Sequence, residues 1–182
     1  MKKALIATLA LALVATMVGL GVHAYFSDTE TSTGNYFQAG TLDLKVNGQD
    51  DPIGAIIEIG NVKPGDSGSV DVNLNNAGSL DGNADLHIKN LQDLENGYNE
   101  AEGVDSEPGE LSKAITVTII YDGNTIAEDE LYDLNCQNLI LGALKAGVTK
   151  VVKISWSVST SAGNEIQSDK CTFDIEFSLD QA

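Results

Sequence analysis

Apolar and polar residues alternate in run after run of this chain. Leu42, Leu44 and Val46 alternate with Asp43 and Lys45, and Val70, Val72 and Leu74 with Ser69, Asp71 and Asn73. Leu86 and Ile88 stand between Asp85, His87 and Lys89. Ile115, Val117, Ile119 and Tyr121 form another set, and Val152, Ile154, Trp156 and Val158 a further one. The clearest run is the last, Cys171, Phe173, Ile175, Phe177 and Leu179 against Thr172, Asp174, Glu176, Ser178 and Asp180. A period of two is the mark of a strand with one buried face. Shorter strands are predicted at Ile56–Ile59 and Asn124–Ala127. Turn chemistry separates the runs: Lys63-Pro64-Gly65-Asp66, Asn76-Ala77-Gly78-Ser79, Asp122-Gly123-Asn124 and Lys145-Ala146-Gly147. Glu107–Lys113 and Glu128–Leu134 have room for a helical turn or two. Seven or eight short strands, each with one inward face, predict an all-β fold. The expected form is a two-sheet sandwich of jelly-roll or immunoglobulin-like kind over residues 39–182.

The first 24 residues read differently. Lys2 and Lys3 precede an almost wholly apolar or small stretch, Ala4 to Val22, which ends on Val22-His23-Ala24. This is the pattern of a secretory signal peptide cut between Ala24 and Tyr25. An uncleaved membrane anchor and a pilin-type signal cut near Lys3 are the other readings of so long an apolar run. No second run of spanning length follows.

Composition narrows the function classes. The 182 residues hold 42% apolar side chains but only 5% aromatic ones, so the core must be mostly aliphatic. There are 27 acidic and 10 basic residues, all of the latter Lys, for a net charge of -17. Removing residues 1–24 removes two Lys and no acid, leaving -19 (8 minus 27). Such a chain is a poor partner for nucleic acid or anionic lipid, both of which require basic surface.

Several segments together resemble one known family. Ala24-Tyr25-Phe26-Ser27-Asp28-Thr29-Glu30-Thr31-Ser32 runs on through Gly34-Asn35-Tyr36-Phe37-Gln38-Ala39-Gly40-Thr41-Leu42-Asp43-Leu44. This block resembles the start of TasA/camelysin-like proteins, whose signals are cut by a SipW-type signal peptidase. Asn61-Val62-Lys63-Pro64-Gly65-Asp66, Asn75-Asn76-Ala77-Gly78-Ser79-Leu80 and the end from Trp156 to Phe177 are similar to family members too. The resemblance implies a jelly-roll subunit of extracellular biofilm-matrix fibres or archaeal bundling pili. It implies a homopolymer built head to tail by donor-strand exchange, in which the segment after the cleavage site completes the sheet of the next subunit. Insertions of the larger members are absent here, so bundling contacts do not carry over. The name camelysin also implies a casein-cleaving metallopeptidase.

Residues 25–38 have the chemistry of a donor arm. They are rich in Ser and Thr and lack Pro. Thr29, Thr31 and Thr33 share one face, and Tyr25, Phe26, Tyr36 and Phe37 anchor the ends. A strand from a neighbour can satisfy an exposed sheet edge and fill its apolar slot, and a head-to-tail contact propagates. On physics alone a frayed terminus, or a first strand pairing within its own subunit, explains the segment as well; the resemblance favours the donor arm.

Enzyme readings find little support. There is no His-Glu-x-x-His, no Gly-x-Ser-x-Gly and no glycine-rich phosphate loop. The only histidine after residue 24 is His87, which alternation puts on the solvent face, whereas a zinc hydrolase needs several converging ligands. No catalytic residue and no obligatory cofactor is expected. Cys136 and Cys171 are expected as a disulfide, given an exported chain, with two buried thiols as the alternative. The acidic stretch from Asp93 to Glu110 offers Glu95, Glu100, Glu102, Asp105 and Glu107 as weak calcium candidates; a solvated acidic loop is the plainer reading. Asp81-Gly82-Asn83-Ala84-Asp85 opens like an EF-hand loop but fails at Leu86 and Gln92. A secreted fibre subunit, a monomeric calcium-dependent adhesin and a secreted metallopeptidase are the three functions left to weigh, in that order.

Overall fold

The computed structural model describes residues 3, 6, 8–10, 33–95, 97 and 109–182. Contacts divide the chain into two units, Met1–Gln38 and Ala39–Ala182. In the first, residues 3, 6 and 8–10 are helical and residues 33–38 carry no regular structure. Ala24, Tyr25, Phe26, Thr29 and Thr31 lie outside the described residues.

The second unit is the expected all-β sandwich. Its strands are Leu44–Val46 (β1), Ser67–Asn76 (β2), Gly82–Leu94 (β3), Ile115–Tyr121 (β4), Asn124–Glu130 (β5), Asn138–Leu144 (β6), Thr149–Val158 (β7) and Lys170–Gln181 (β8). Five form one sheet in the order β1-β2-β7-β4-β5; the other sheet has three, β6-β3-β8. All pairings are antiparallel. Of two single-turn helices, Leu131–Leu134 (α2) falls inside the stretch expected to hold it and Leu111–Ala114 (α1) overruns its stretch by one residue.

The alternation read from the sequence is the alternation of burial. Val72 and Leu74 of β2, Leu86 and Ile88 of β3, Ile119 of β4 and Val152 and Ile154 of β7 are at most 2% exposed. Burying each such side chain is worth about 1.5–3 kcal/mol. Two sequence expectations need correction. Ile56–Ile59 forms no strand. Ile56 and Ile57 are neighbours in sequence and both half-buried, so the segment lacks the alternation of a strand with one buried face, and it pairs with no strand. Conversely the alternation does not predict β6, because Leu139-Ile140-Leu141 is a continuous apolar run; Ile140 faces out and is 71% exposed.

One buried polar group organises the end of the sandwich where the N-terminal segment joins it. Asn76 is fully buried. Its Nδ2 donates to Leu80 O at 2.8 Å and Leu144 O at 3.1 Å, and its Oδ1 accepts from Gly78 N at 3.0 Å. With donors and acceptor all engaged, its burial carries no orphan penalty. The loop it shapes extends the β1–β2 ladder: Ala77 N donates to Asp43 O at 2.7 Å and Ser79 N to Thr41 O at 2.8 Å. Gly78 is required there, since a Cβ would lie 2.3 Å from Thr41 O.

Candidate functional site

The two sheets differ by two strands, and the shortfall exposes one side of the core. β8 is one of the two edge strands of the smaller sheet, and at 12 residues it is the longest edge strand among the described residues. One edge of β8 pairs with β3 along almost its whole length. Its outward polar side chains are tied to the same neighbour: Lys89 pairs with Glu176, and Asn90 Nδ2 donates to Asp174 Oδ2 at 2.7 Å. The Lys89 ammonium holds the Glu176 carboxyl below the usual carboxylate range. β8 is thus a fixed template whose other edge has no partner strand among the described residues.

Its inward face, Cys171, Phe173, Ile175, Phe177 and Leu179, is the alternating set read from the sequence, yet none of the five is fully buried. The first four line a groove of about 1150 Å³ between the sheets. Leu86 and Ile88 of β3 and Ile154 and Trp156 of β7 form its floor, and Leu44 and Val46 of β1 its far wall. The segment Ile53–Gly60 runs along it. A row of open backbone groups beside an apolar slot is a site for an added strand. The sequence pattern predicts both walls of this site but takes Ile56–Ile59, in the segment over it, for a strand, where the structure has an irregular stretch.

Of the arm residues, Thr33, Tyr36 and Phe37 are described, and all three are exposed, Tyr36 at 81% and Phe37 at 107%. The disulfide expectation is corrected: Cys136 and Cys171 are both free thiols. Cys136 is exposed and donates its N–H to Ile88 O on the β6 side of β3. Cys171 is the register partner of Asp93 on the β8 side. Five residues along β3 and two strand spacings across it separate the two positions by roughly 19 Å, far beyond the reach of a disulfide, about 7 Å between Cα atoms. Burial, with a smaller contribution from Asp93, pushes the Cys171 thiol up to about 11.

Of the calcium candidates, Glu100, Glu102, Asp105 and Glu107 lie outside the described residues; Glu95 is described and half-buried. The flanks of that stretch are anchored by carboxylates. Asp169 Oδ2 accepts from Glu110 N at 2.6 Å and Leu111 N at 3.1 Å, and Asp93 Oδ1 accepts from Ser112 N at 3.0 Å. His87 lies on the outward face of β3, as the alternation predicts, but is half-buried there, with Nε2 covered and no hydrogen-bond partner among the described residues. Its register partners are Glu176 and Asn138.

The sequence profile of the camelysin metallo-endopeptidase family matches residues 1–182. The chain belongs to that family. The TasA/camelysin resemblance carried by its N-terminal block and turns is thereby shown. No curated protein is detectably similar to the chain. The family's description implies a metal, and the described residues do not fit one: no three of His, Cys, Asp and Glu among them converge as ligands, and His87 stands singly on β3. No peptide-cleaving step is derived through a metal. Among the described residues no helix is long and apolar enough to cross a membrane.

Proposed function

We propose that this member of the camelysin family is a structural subunit, exported by way of residues 1–24, that polymerises head to tail outside the cell. Residues 25–38 of one copy enter the β8 groove of the next, and the fibre so formed belongs to the extracellular matrix. A SipW-type signal peptidase frees the arm by cutting between Ala24 and Tyr25. The observation that carries this reading is the groove: a 12-residue sheet edge with a half-buried apolar face and, among the described residues, no partner strand. Length supports the match, since 14 extended residues span about 46 Å and β8 about 40 Å. Alternation supports it as well. Thr29, Thr31 and Thr33 fall on one face of an extended arm and can enter the slot, while Asp28, Glu30 and Ser32 stay in water. No catalytic role is proposed.

Deleting residues 25–38 tests the reading. The remaining unit, Ala39–Ala182, contains every described strand and should stay folded but form no filaments in negative-stain micrographs. A synthetic peptide of residues 25–38 should bind it and raise its Tm, because a ligand selective for the folded state stabilises that state. Ordered filaments from the arm-deleted protein would overturn the proposal.

A further inference from the structure

The segment over the groove has features of a temporary occupant. Ile53, Ile56 and Ile57 pack against the core from the groove side. Yet residues 51–62 form no strand, and their backbone makes no hydrogen bond to another described residue. Gly54, Gly60 and the exposed Glu58 interrupt the apolar positions, and Ile59 is 47% exposed. The segment is therefore held by partly buried side chains alone, Ile53, Ile56 and Ile57 along the groove and Val62 at its end, whereas the strands around it are held by ladders as well. Its ends are fixed: Lys45 Nζ donates to Asp50 Oδ1 at 2.9 Å on one side, and Lys63 N to Asp66 Oδ2 at 3.1 Å on the other.

We infer that residues 51–62 are a built-in plug, which shields the groove of the free subunit and is displaced when the arm of a second copy enters. The inference rests on the donor-strand reading and adds a regulatory step to it. A plug without backbone hydrogen bonds can be outcompeted by any strand that satisfies the β8 edge as well as the slot. Until then it covers part of the apolar surface that would otherwise invite disordered association. The subunit can then be exported as a monomer, and assembly is slowed by the fraction of time the groove is closed.

The test compares the secreted wild-type chain with the variant carrying Ile56→Val and Ile57→Val, which keeps the plug apolar but loosens its hold. Unfolding of the fresh monomer in urea and the rate of filament growth are measured on the same samples. If the plug must leave before the arm enters, the variant's monomer is slightly less stable and its filaments grow roughly fivefold faster, because the open state is more populated. Lower stability with an unchanged or slower growth rate would show the segment to be ordinary core and overturn the inference. A wild-type chain that forms no filament at all would sink the donor-strand reading, and the plug with it. A second measurement needs no variant. Cleavage of the wild-type chain after Glu58 by a glutamate-specific protease should speed up on assembly, and unchanged or slower cleavage would contradict displacement.

Discussion

The two long seams of this sandwich carry similar sequence patterns and are closed in different ways. At the β5–β6 seam, Leu139, Leu141 and Leu144 of β6 are 9%, 6% and 0% exposed, and α2 drives Leu131 and Leu134 into the core at 1% each. At the β1–β8 seam, Phe173, Ile175 and Phe177 alternate just as regularly but are only half-buried, and an unpaired segment lies over them. One seam is completed by its own chain, with a hydrogen-bonded helix as the closing piece. The other is completed by side chains without backbone pairing. Edge strands are ordinarily protected by charge, brevity or a bulge. β5 carries exposed Glu128, Asp129 and Glu130, and β1 is three residues long. β8 carries exposed Asp174, Glu176 and Asp180 on its outward face, but it is long and its inward face borders the groove, so its edge is suited to receive a strand.

The largest expected effect breaks the closed seam. Leu134→Ala leaves a cavity where nothing can collapse and should cost about 2–5 kcal/mol in urea unfolding. Ile175→Ala at the groove should cost only about 1 kcal/mol in the free subunit, because part of its surface is already wet. The same Ile175→Ala should weaken binding of the 25–38 peptide at least severalfold, while any Leu134→Ala protein that remains folded should bind it as the parent does. Equal stability losses at the two sites would mean that the groove is closed in solution and the contrast unreal.

That contrast also marks what was legible beforehand. Strands with one strictly alternating face, β2, β4, β7 and β8, could be read because burial on one side imposes the period. β6 could not, since its run Leu139-Ile140-Leu141 lacks the polar partner that signals a face. Nor could the sequence distinguish a wall covered at home from one covered by a neighbour. Phe173, Ile175 and Phe177 have the same pattern either way, and only the count of strands in each sheet separates the cases. The disulfide expectation failed for a related reason: compartment favours the bond, but placing Cys136 and Cys171 on opposite sides of β3 requires the sheet order.

A smaller effect contrasts the clamp at the arm's root with the segment over the groove. Gly78→Ala puts a Cβ 2.3 Å from Thr41 O and should lower stability by about 1–3 kcal/mol, with faster hydrogen exchange at the Ala77 and Ser79 amides. Gly54→Ala, with nothing within 4 Å of its Cβ, should be within about 0.5 kcal/mol of neutral. Sensitivity at Gly54 as large as at Gly78 would mean the segment is packed as tightly as the clamp.

The smallest effect is read by thiol chemistry. Cys136 is exposed, whereas the Cys171 thiol lies in the groove with its pKa pushed from 9.0 up to about 11. Iodoacetamide at pH 8 should therefore modify Cys136 first and Cys171 slowly, with the arm peptide slowing Cys171 further. The sign for stability follows. The folded state holds the neutral thiol more firmly than the unfolded chain does, so this contribution is intact below about pH 9 and is lost as pH rises towards 11. Equal labelling rates at the two thiols would contradict the shielded position of Cys171.

The central claim, that β8 receives the arm of another copy, is met most directly by hydrogen exchange on residues 39–182 with and without a synthetic peptide of residues 25–38. The account predicts new protection concentrated in β8, at the amides from Lys170 to Gln181 that point away from β3, together with a change in emission from Trp156 on the groove floor. Protection confined to the β5 or β6 edge, or binding that leaves β8 exchange and Trp156 unchanged, would contradict it.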